Sequence, residues 1–304
     1  MPTPFTIVGI GESLFDFVAD QQHPGGAPMN VAIHAQQLGK GSGGRGVLVS
    51  RVGQDDLGTQ IAQTLRERGM TLDYLQTDPD HPTGRVYVET DTDGEASYEI
   101  VENAAWDLIQ YDPDMDPLAM ACQAVCFGSL AQRHAQSRNS IYRFLDTSRA
   151  RYKMFDINLR KPFYDRQHII RSCESATVVK LNIDELGELS GMLSMDGRSA
   201  DERARELMGK YKLRLVVLTR GKAGTVLYTP DGRYEGEPAS YEPTEGADPV
   251  GAGDSVSAAV LVGKALRMPD QQVATLANRV GAYVVAQPGA TPDLPEDILK
   301  LFHS

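Results

Sequence analysis

Short apolar runs alternate with longer stretches whose apolar positions recur at helical spacing. That alternation is the strongest constraint on the fold. Phe5-Thr-Ile-Val-Gly-Ile-Gly11, Gly46-Val-Leu-Val-Ser-Arg-Val-Gly53, Ala124-Val-Cys-Phe-Gly-Ser129, Tyr152-Lys-Met-Phe-Asp-Ile-Asn158, Val178-Val-Lys-Leu-Asn182 and Leu213-Arg-Leu-Val-Val-Leu-Thr219 have the composition of buried strands. Helices are expected over 31–39, 59–68, 133–149, onward from Ile183, and over 270–286. Strands buried on both faces and separated by helices give an α/β fold with a mostly parallel sheet.

One helix start carries chemistry. Asp248-Pro-Val-Gly-Ala-Gly-Asp-Ser255 runs directly into the apolar stretch 256–263. Free N–H groups of Gly251, Ala252 and Gly253 at a helix N-terminus make an anion site that fits a phosphate. A carboxylate beside bound phosphate is repelled, so Asp254 needs a reason to be there. Accepting the proton of a hydroxyl that attacks a phosphoryl group is such a reason, with the loop amides holding the developing charge. The alternative makes Asp254 an N-cap and the glycines turn residues.

Other candidates gather at strand ends. Residues 12–18 alternate like an edge strand carrying Asp16, which either caps a turn or faces a polar ligand. Gly25-Gly-Ala-Pro-Met-Asn30 opens a helix, where Asn30 either caps or meets a polyhydroxylated ligand. Asp156-Ile-Asn-Leu-Arg160 ends a buried strand, where open α/β sheets bind ligands, and Arg160 could equally join a surface ion pair. Glu185, in the first turn of its helix, suits the helix dipole. Gly84–Thr90 and 96–101, joined by Asp91-Thr-Asp-Gly-Glu95, form a hairpin with an Asp-Gly turn. A hairpin that interrupts an α/β chain is a candidate lid for excluding water. The Gly9-x-Gly11 pair lacks the third glycine and the helix of a dinucleotide fingerprint.

The string 248–254 resembles the signature Asp-Thr-x-Gly-Ala-Gly-Asp of the ribokinase-like, or PfkB family, carbohydrate kinases, and four other motifs agree in order: 25–39, 52–58, Asn182-x-x-Glu185 and Thr219-x-Gly221-x-x-Gly224. The resemblance covers nearly the whole chain. It implies a three-layer α/β/α sandwich in a single domain over 1–304, with a small β lid from about 12–24 and 84–102. It makes Asp16, Gly26 and Asn30 sugar ligands, sets the substrate-binding Arg160 near substrate or phosphate, and gives Asp254 as base and Gly251, Ala252 and Gly253 as the anion hole. Asn182, Thr219, Gly221, Gly224 and Asn278 become nucleotide ligands. Glu185 would place Mg²⁺ through water, and Asp248, with the loop 287–290, a monovalent cation such as K⁺. ATP and Mg²⁺ are the implied cofactors. Within the family, Gly-Gly-Ala-Pro-Met-Asn-Val-Ala, Asn103-Ala-Ala-Trp-Asp107 and Asp-Ile-Asn-Leu-Arg are most similar to fructokinases. Fructose is therefore the expected substrate, against ribose, 2-keto-3-deoxygluconate and nucleosides. A sugar- or nucleotide-sensing protein on the same fold is the alternative of another class. Only 19–24 stands where relatives carry a longer lid insertion, so the lid is expected to be reduced, and the protein a monomer or homodimer. Val256 and Ala259 replace residues that are often Phe and Gly in relatives and change packing alone.

The formal charge of −11, from 41 acidic against 30 basic residues, argues against nucleic acid or an anionic membrane as partner. Cys122, Cys126 and Cys173 lack metal-ligand spacing and suit structural thiols in a reducing cytosol. The N-terminus has no signal-peptide pattern, no stretch reaches the length of a membrane span, and a cytoplasmic protein is expected.

Overall fold

The computed structural model describes residues 4–18, 21–90 and 96–303. Its strands are β1 (Phe5–Ile10), β2 (Leu14–Val18), β3 (Gln21–Gly25), β4 (Gly44–Gly53), β5 (Leu75–Asp78), β6 (Gly84–Thr90), β7 (Ala96–Ile100), β8 (Ala124–Gly128), β9 (Tyr152–Asp156), β10 (Val178–Asn182), β11 (Leu215–Thr219), β12 (Thr225–Thr229) and β13 (Gly232–Glu235). The helices are α1 (Ala27–Gly39), α2 (Asp56–Glu67), α3 (Asp116–Ala121), α4 (Ala135–Thr147), α5 (Arg166–Ser175), α6 (Ile183–Leu193), α7 (Ala200–Tyr211), α8 (Ala252–Ala265), α9 (Asp270–Val285) and α10 (Glu296–Lys300).

Nine strands form the central sheet in the order β13-β12-β11-β10-β9-β8-β1-β4-β5. Every pairing from β11 to β5 is parallel, and β12 and β13 add antiparallel at the far edge. Strand pleating sends alternate residues to opposite faces, so each strand feeds two cores. Phe5, Ile7, Cys126, Met154, Val178 and Val217 face α1, α8 and α9. Val8, Ile10, Phe127, Phe155, Val179 and Leu218 face α4, α5, α6 and α7. A third cluster packs Phe15, Met29, Ile33, Leu48, Leu57, Ile61 and Leu65 between α1, α2, β2 and β4. The result is the expected layered α/β/α sandwich.

A second sheet of four strands, in the order β3-β2-β6-β7, stands apart from the first. The alternation in 12–18 predicts an edge strand, but β2 lies inside this sheet, antiparallel to β3 and parallel to β6. Residues 21–25 supply the unexpected neighbour: they form a strand rather than a bare turn, and the edge passes to Pro24-bearing β3, which tolerates a missing N–H. The hairpin strands β6 and β7 pair as expected, while its turn, 91–95, lies outside the described residues. Helix ends also differ. α2 starts at Asp56 and not at 59, because Asp55 caps it by accepting the Gly58 N–H. The helix expected over 133–149 is trimmed to α4, whose cap is His134. Among the described residues no helix is long and apolar enough to cross a membrane.

Candidate active site

Parallel strands β1, β8, β9, β10 and β11 all end on one side of the sheet, and the first turn of α8 meets them there. Gly251 is the N-cap of α8, with φ +75°; a Cβ on it would stand 2.3 Å from the carbonyl oxygen of Ala290. Only glycine tolerates both the left-handed backbone and that approach. Residues Ser255 through Gly263 are all buried, because α8 packs between α1 and α9. Asp254 is the third helical residue and not the cap, and Gly251 makes no side-chain cap bond. The alternative of a capping Asp254 is thereby removed.

The three loop amides are not equivalent. Ala252 donates its N–H to the Pro249 carbonyl at 3.3 Å, closing a turn before the helix. Gly251, Gly253 and Asp254 have N–H groups without a partner among the described residues, as the first turn of a helix leaves them. The donors that remain for an anion therefore lie on either side of Ala252, with Asp254 contributing one of its own.

Asn30 meets the Asp254 side chain. Its backbone N–H already donates to Gly26 at 2.9 Å, so it sits inside the first turn of α1 and is not a cap; Gly26 takes that position, with φ +106°. The Asn30 side chain donates from Nδ2 to Asp254 Oδ2 at 2.8 Å. Among the described residues its buried Oδ1 has no partner, which leaves an acceptor for a ligand hydroxyl. Asp16, on β2, turns back on the glycine pair: its Oδ2 lies 2.6 Å from where a Gly25 Cβ would be. Arg160 follows β9 and is half-buried, and its positive charge is felt by Asp16, Glu12 and Asp254. A purely surface ion pair does not describe it.

These carboxyls are perturbed. Burial, then the neighbouring Asp156, pushes Asp254 up to about 7, against the opposing pull of Lys180, the Asn30 hydrogen bond and Arg160. Burial raises Asp16 to about 6, with Arg160 and His23 opposing. A carboxyl poised near neutrality can both take and release a proton at physiological pH.

The nucleotide-side candidates are brought to adjacent strand ends, with Thr219 directly opposite Asn182 in the β10–β11 register. Asn182 and Glu185 form a reciprocal capping box: Glu185 donates its N–H to Asn182 Oδ1 at 2.8 Å, and Asn182 donates its N–H to Glu185 Oε2 at 2.8 Å. Glu185 Oε1 also accepts the Leu159 N–H at 3.2 Å, tying α6 to the strand-end loop that carries Arg160. Gly221 and Gly224 hold the turn before β12 at φ +55° and +77°. Asn278 is buried and committed to backbone: Oδ1 accepts the Thr225 N–H at 2.8 Å and Nδ2 donates to the Glu237 carbonyl at 2.9 Å. Both Asp248 oxygens are similarly engaged, by the N–H of Val250 and of Gly289, each at 2.8 Å. That carboxylate ties the glycine loop to the 287–290 loop.

The profile of the pfkB family carbohydrate kinases matches residues 11–297. The chain belongs to the pfkB family of carbohydrate kinases. It is thus a phosphotransferase whose acceptor is a sugar hydroxyl. The fructokinase of Klebsiella pneumoniae is 31% identical over 94% of this chain and 95% of its own. Among solved structures, a fructokinase from Vibrio cholerae O395 in fructose, ADP and calcium ion bound form aligns at TM-score 0.78 and 25% identity, covering 99% of each chain. A fructokinase from Xylella fastidiosa with bound ATP shares the fold at TM-score 0.81 and 23% identity over 97% of each chain.

Sequence reasoning missed three buried polar residues beside these candidates. Glu12, in the β1–β2 turn, is 2% exposed with Oε2 unpartnered, and burial together with the nearby Asp254 raises it to about 7, against the pull of backbone N–H groups, its own and that of Ala27. Lys180 is buried in β10, and Ser257 in α8. A signal existed for two of them: an acid directly after a strand-ending glycine, and a lysine inside Val-Val-Lys-Leu. A buried charge requires a partner, and that requirement marks a site even where the partner is unknown. The three cysteines are free and buried, as expected, and His34 packs inside α1, donating Nε2–H to the Ala290 carbonyl at 3.0 Å.

Proposed function

We propose that this kinase transfers the γ-phosphoryl group of ATP to the primary hydroxyl of fructose, giving fructose 6-phosphate. The observation that carries the reading is the Asp254 carboxyl, oriented by Asn30 at 2.8 Å and set beside unpaired first-turn amides of α8. Asp16, Gly26, Asn30 and Arg160 orient the sugar. Asp254 takes the hydroxyl proton as the new O–P bond forms, while Gly251, Gly253 and Asp254 N–H groups stabilise the charge on the transferring group. Asn182, Thr219, Gly221 and Gly224 line the side from which the nucleotide approaches, with Asn278 holding their turn in place.

The second sheet serves as the lid. In support, β3 runs straight into Gly25 and Gly26, and His23 Nδ1 lies 3.9 Å from the position of a Gly289 Cβ, so the sheet reaches the loop opposite the glycine cradle. Closing that gap excludes water, which would otherwise compete with the sugar hydroxyl.

Among the described residues no cluster of three His, Cys, Asp or Glu side chains could cage a metal. Mg²⁺ carried on the ATP phosphates keeps much of its water, and Glu185 is the acid that would meet it through that water. Bound there, Mg²⁺ would neutralise phosphate charge. Asp248, already bridging two loops, is the candidate for K⁺. The choice of fructose is supported by the likeness to the Klebsiella pneumoniae fructokinase and by the fructose in the Vibrio cholerae structure.

Coupled ADP release with Mg-ATP across fructose, ribose, 2-keto-3-deoxygluconate, glucose and adenosine, with and without K⁺, tests the reading. Turnover should be highest on fructose, and Asp254→Asn should lower kcat by ~100 to 10,000-fold with the fold intact. Turnover confined to another acceptor discards fructose; a near wild-type Asp254→Asn discards the mechanism.

A further inference from the structure

Lys180 interrupts the buried apolar run 178–181 of β10, and its side chain is only 9% exposed. Burying an ammonium costs several kcal/mol unless it is paired and hydrogen-bonded. Its partner is Asp156, directly opposite it in the β9–β10 register: Nζ donates to Oδ1 at 2.9 Å. The other Asp156 oxygen accepts a hydrogen bond from Ser257 Oγ at 2.8 Å. Ser257 stands one turn along α8 from Gly253, whose carbonyl oxygen its hydroxyl also approaches at 3.2 Å. The ion pair is therefore fastened to the helix that presents the anion cradle.

Gly253 shows where the ammonium is aimed. A Cβ on Gly253 would lie 2.8 Å from Lys180 Nζ, closer than any other heavy atom outside its own helix. A glycine here leaves the ammonium against the backbone of the first turn of α8. An ammonium has three donors, and among the described residues Asp156 Oδ1 is the only hydrogen-bond acceptor found for it. Two donors remain beside the unpaired N–H of Gly253.

Charge balance gives those donors a use. Asp254, Asp156, Glu12 and Glu185 surround this corner, and Arg160 sets one positive charge against them, so a phosphoryl group still gains from a second, buried cation. Burial pulls the Lys180 ammonium towards losing its proton, but Asp156, Asp254 and Glu185 outweigh that pull and hold it above the ordinary lysine value. A structural role alone explains little, because buried ion pairs are commonly matched or bettered by apolar residues of equal volume.

We propose that Lys180 is the built-in cation of the phosphoryl site: held by Asp156 and Ser257 beneath the first turn of α8, its ammonium donates a hydrogen bond to an oxygen of the transferring phosphoryl group. Asp156 and Ser257 are positioning residues. In the step itself the sugar oxygen bonds to the γ-phosphorus, the bond from phosphorus to the ADP oxygen breaks, and the sugar proton passes to Asp254. Lys180 keeps all three of its protons. The inference rests on the kinase reading of this site given above.

Lys180→Met alone strands Asp156 as a buried unpaired charge, so the deciding protein is Lys180→Met with Asp156→Asn, which removes both charges at nearly constant volume. Its thermal midpoint should stay close to that of the parent. Its kcat should fall ~100 to 1,000-fold, the size of one lost transition-state donor, with KM for fructose and for ATP within about threefold. A folded double variant with kcat near wild type overturns the proposal. Should the double variant not fold, Lys180→Arg keeps the ion pair while its larger head is displaced by the absence of room at Gly253. It should show the same split between kcat and KM, with kcat lowered at least ~10-fold, and wild-type kcat there overturns the proposal equally. Asp254→Asn measured alongside separates the failures: an active Asp254→Asn sinks the kinase mechanism, whereas an inactive one beside an active double variant sinks only the role of Lys180.

Discussion

Replacing Asn30 by leucine removes the one side-chain hydrogen bond to the Asp254 carboxyl found among the described residues, while keeping volume close to the original. Asn30 is 3% exposed and its Nδ2 donates to Asp254 Oδ2 at 2.8 Å. A hydrogen bond to a charged acceptor contributes about 1.5–3 kcal/mol, and it favours the ionised carboxylate over the neutral acid. At ~1.4 kcal/mol per pH unit, its loss raises the Asp254 carboxyl by ~1 to 2 units from its starting point of about 7. The base must be ionised to take a proton. The ascending limb of kcat/KM against pH should then move from about 7 to ~8 or 9, and the ionised fraction at pH 7 should fall from about one half to ~1–10%. Activity at pH 7 thus drops ~5 to 50-fold by this route alone. Any contribution of Asn30 to sugar binding adds a pH-independent loss, visible on the alkaline plateau. The assay is the coupled kinase reaction between pH 5.5 and 9.5 at saturating Mg-ATP, beside wild type. A uniform loss with the limb unmoved would refute the reasoning and reduce Asn30 to a sugar ligand.

Gly251→Ala should lower both the thermal midpoint and kcat, the latter more than ~10-fold. Its φ of +75° costs a non-glycine residue about 1–3 kcal/mol, and its Cβ collides with Ala290; an unchanged kcat would show that the cradle is not made by this backbone. Stability of the ligand-free protein should fall as pH rises from about 5 to 7. The fold favours neutral Glu12 and Asp254, both pushed to about 7, so the native state holds protons that the unfolded chain has released, and ionising each group costs up to ~1.4 kcal/mol per unit until about 7. Glu12→Gln should flatten that slope in thermal unfolding, and a slope identical to wild type would contradict it. Asp55→Ala should cost ~2 kcal/mol or more, because one carboxylate accepts the Gly58 N–H, the Thr83 N–H and the Thr83 hydroxyl at 2.6–2.8 Å. Thr83 precedes β6, so KM for the sugar should rise as the root of the second sheet loosens; an unaltered thermal midpoint would refute the clamp.

Much of the layered fold can be read locally. Strands such as 5–10 and 215–219 are continuous apolar runs because both their faces are covered, and α8 is apolar on every side because α1, α9 and the sheet enclose it. Boundaries were less legible. Asn30 sits within α1 because Gly26 caps it through a backbone conformation, with no side-chain signal. Gln21–Gly25 pairs as a strand despite its polar composition, since its partner β2, and not its own sequence, supplies the ladder.

The site divides in the same way. Gly251, Gly253, Asp254 and the glycine pair before α1 stand out as candidates because the proposed chemistry requires particular residue types at fixed short spacings, whereas Asp16 stayed open between a turn cap and a ligand. What the 304 residues determine unaided is an α/β alternation with a glycine cradle and an acid at one helix start. Tertiary structure alone decides that Asn30 reaches Asp254 across 224 positions, that Ser257 reaches Asp156 across 101, and that Glu12 loses its water beside a second carboxyl. Proton affinity and ion pairing depend on distance and burial, and neither is a property of any single stretch of chain.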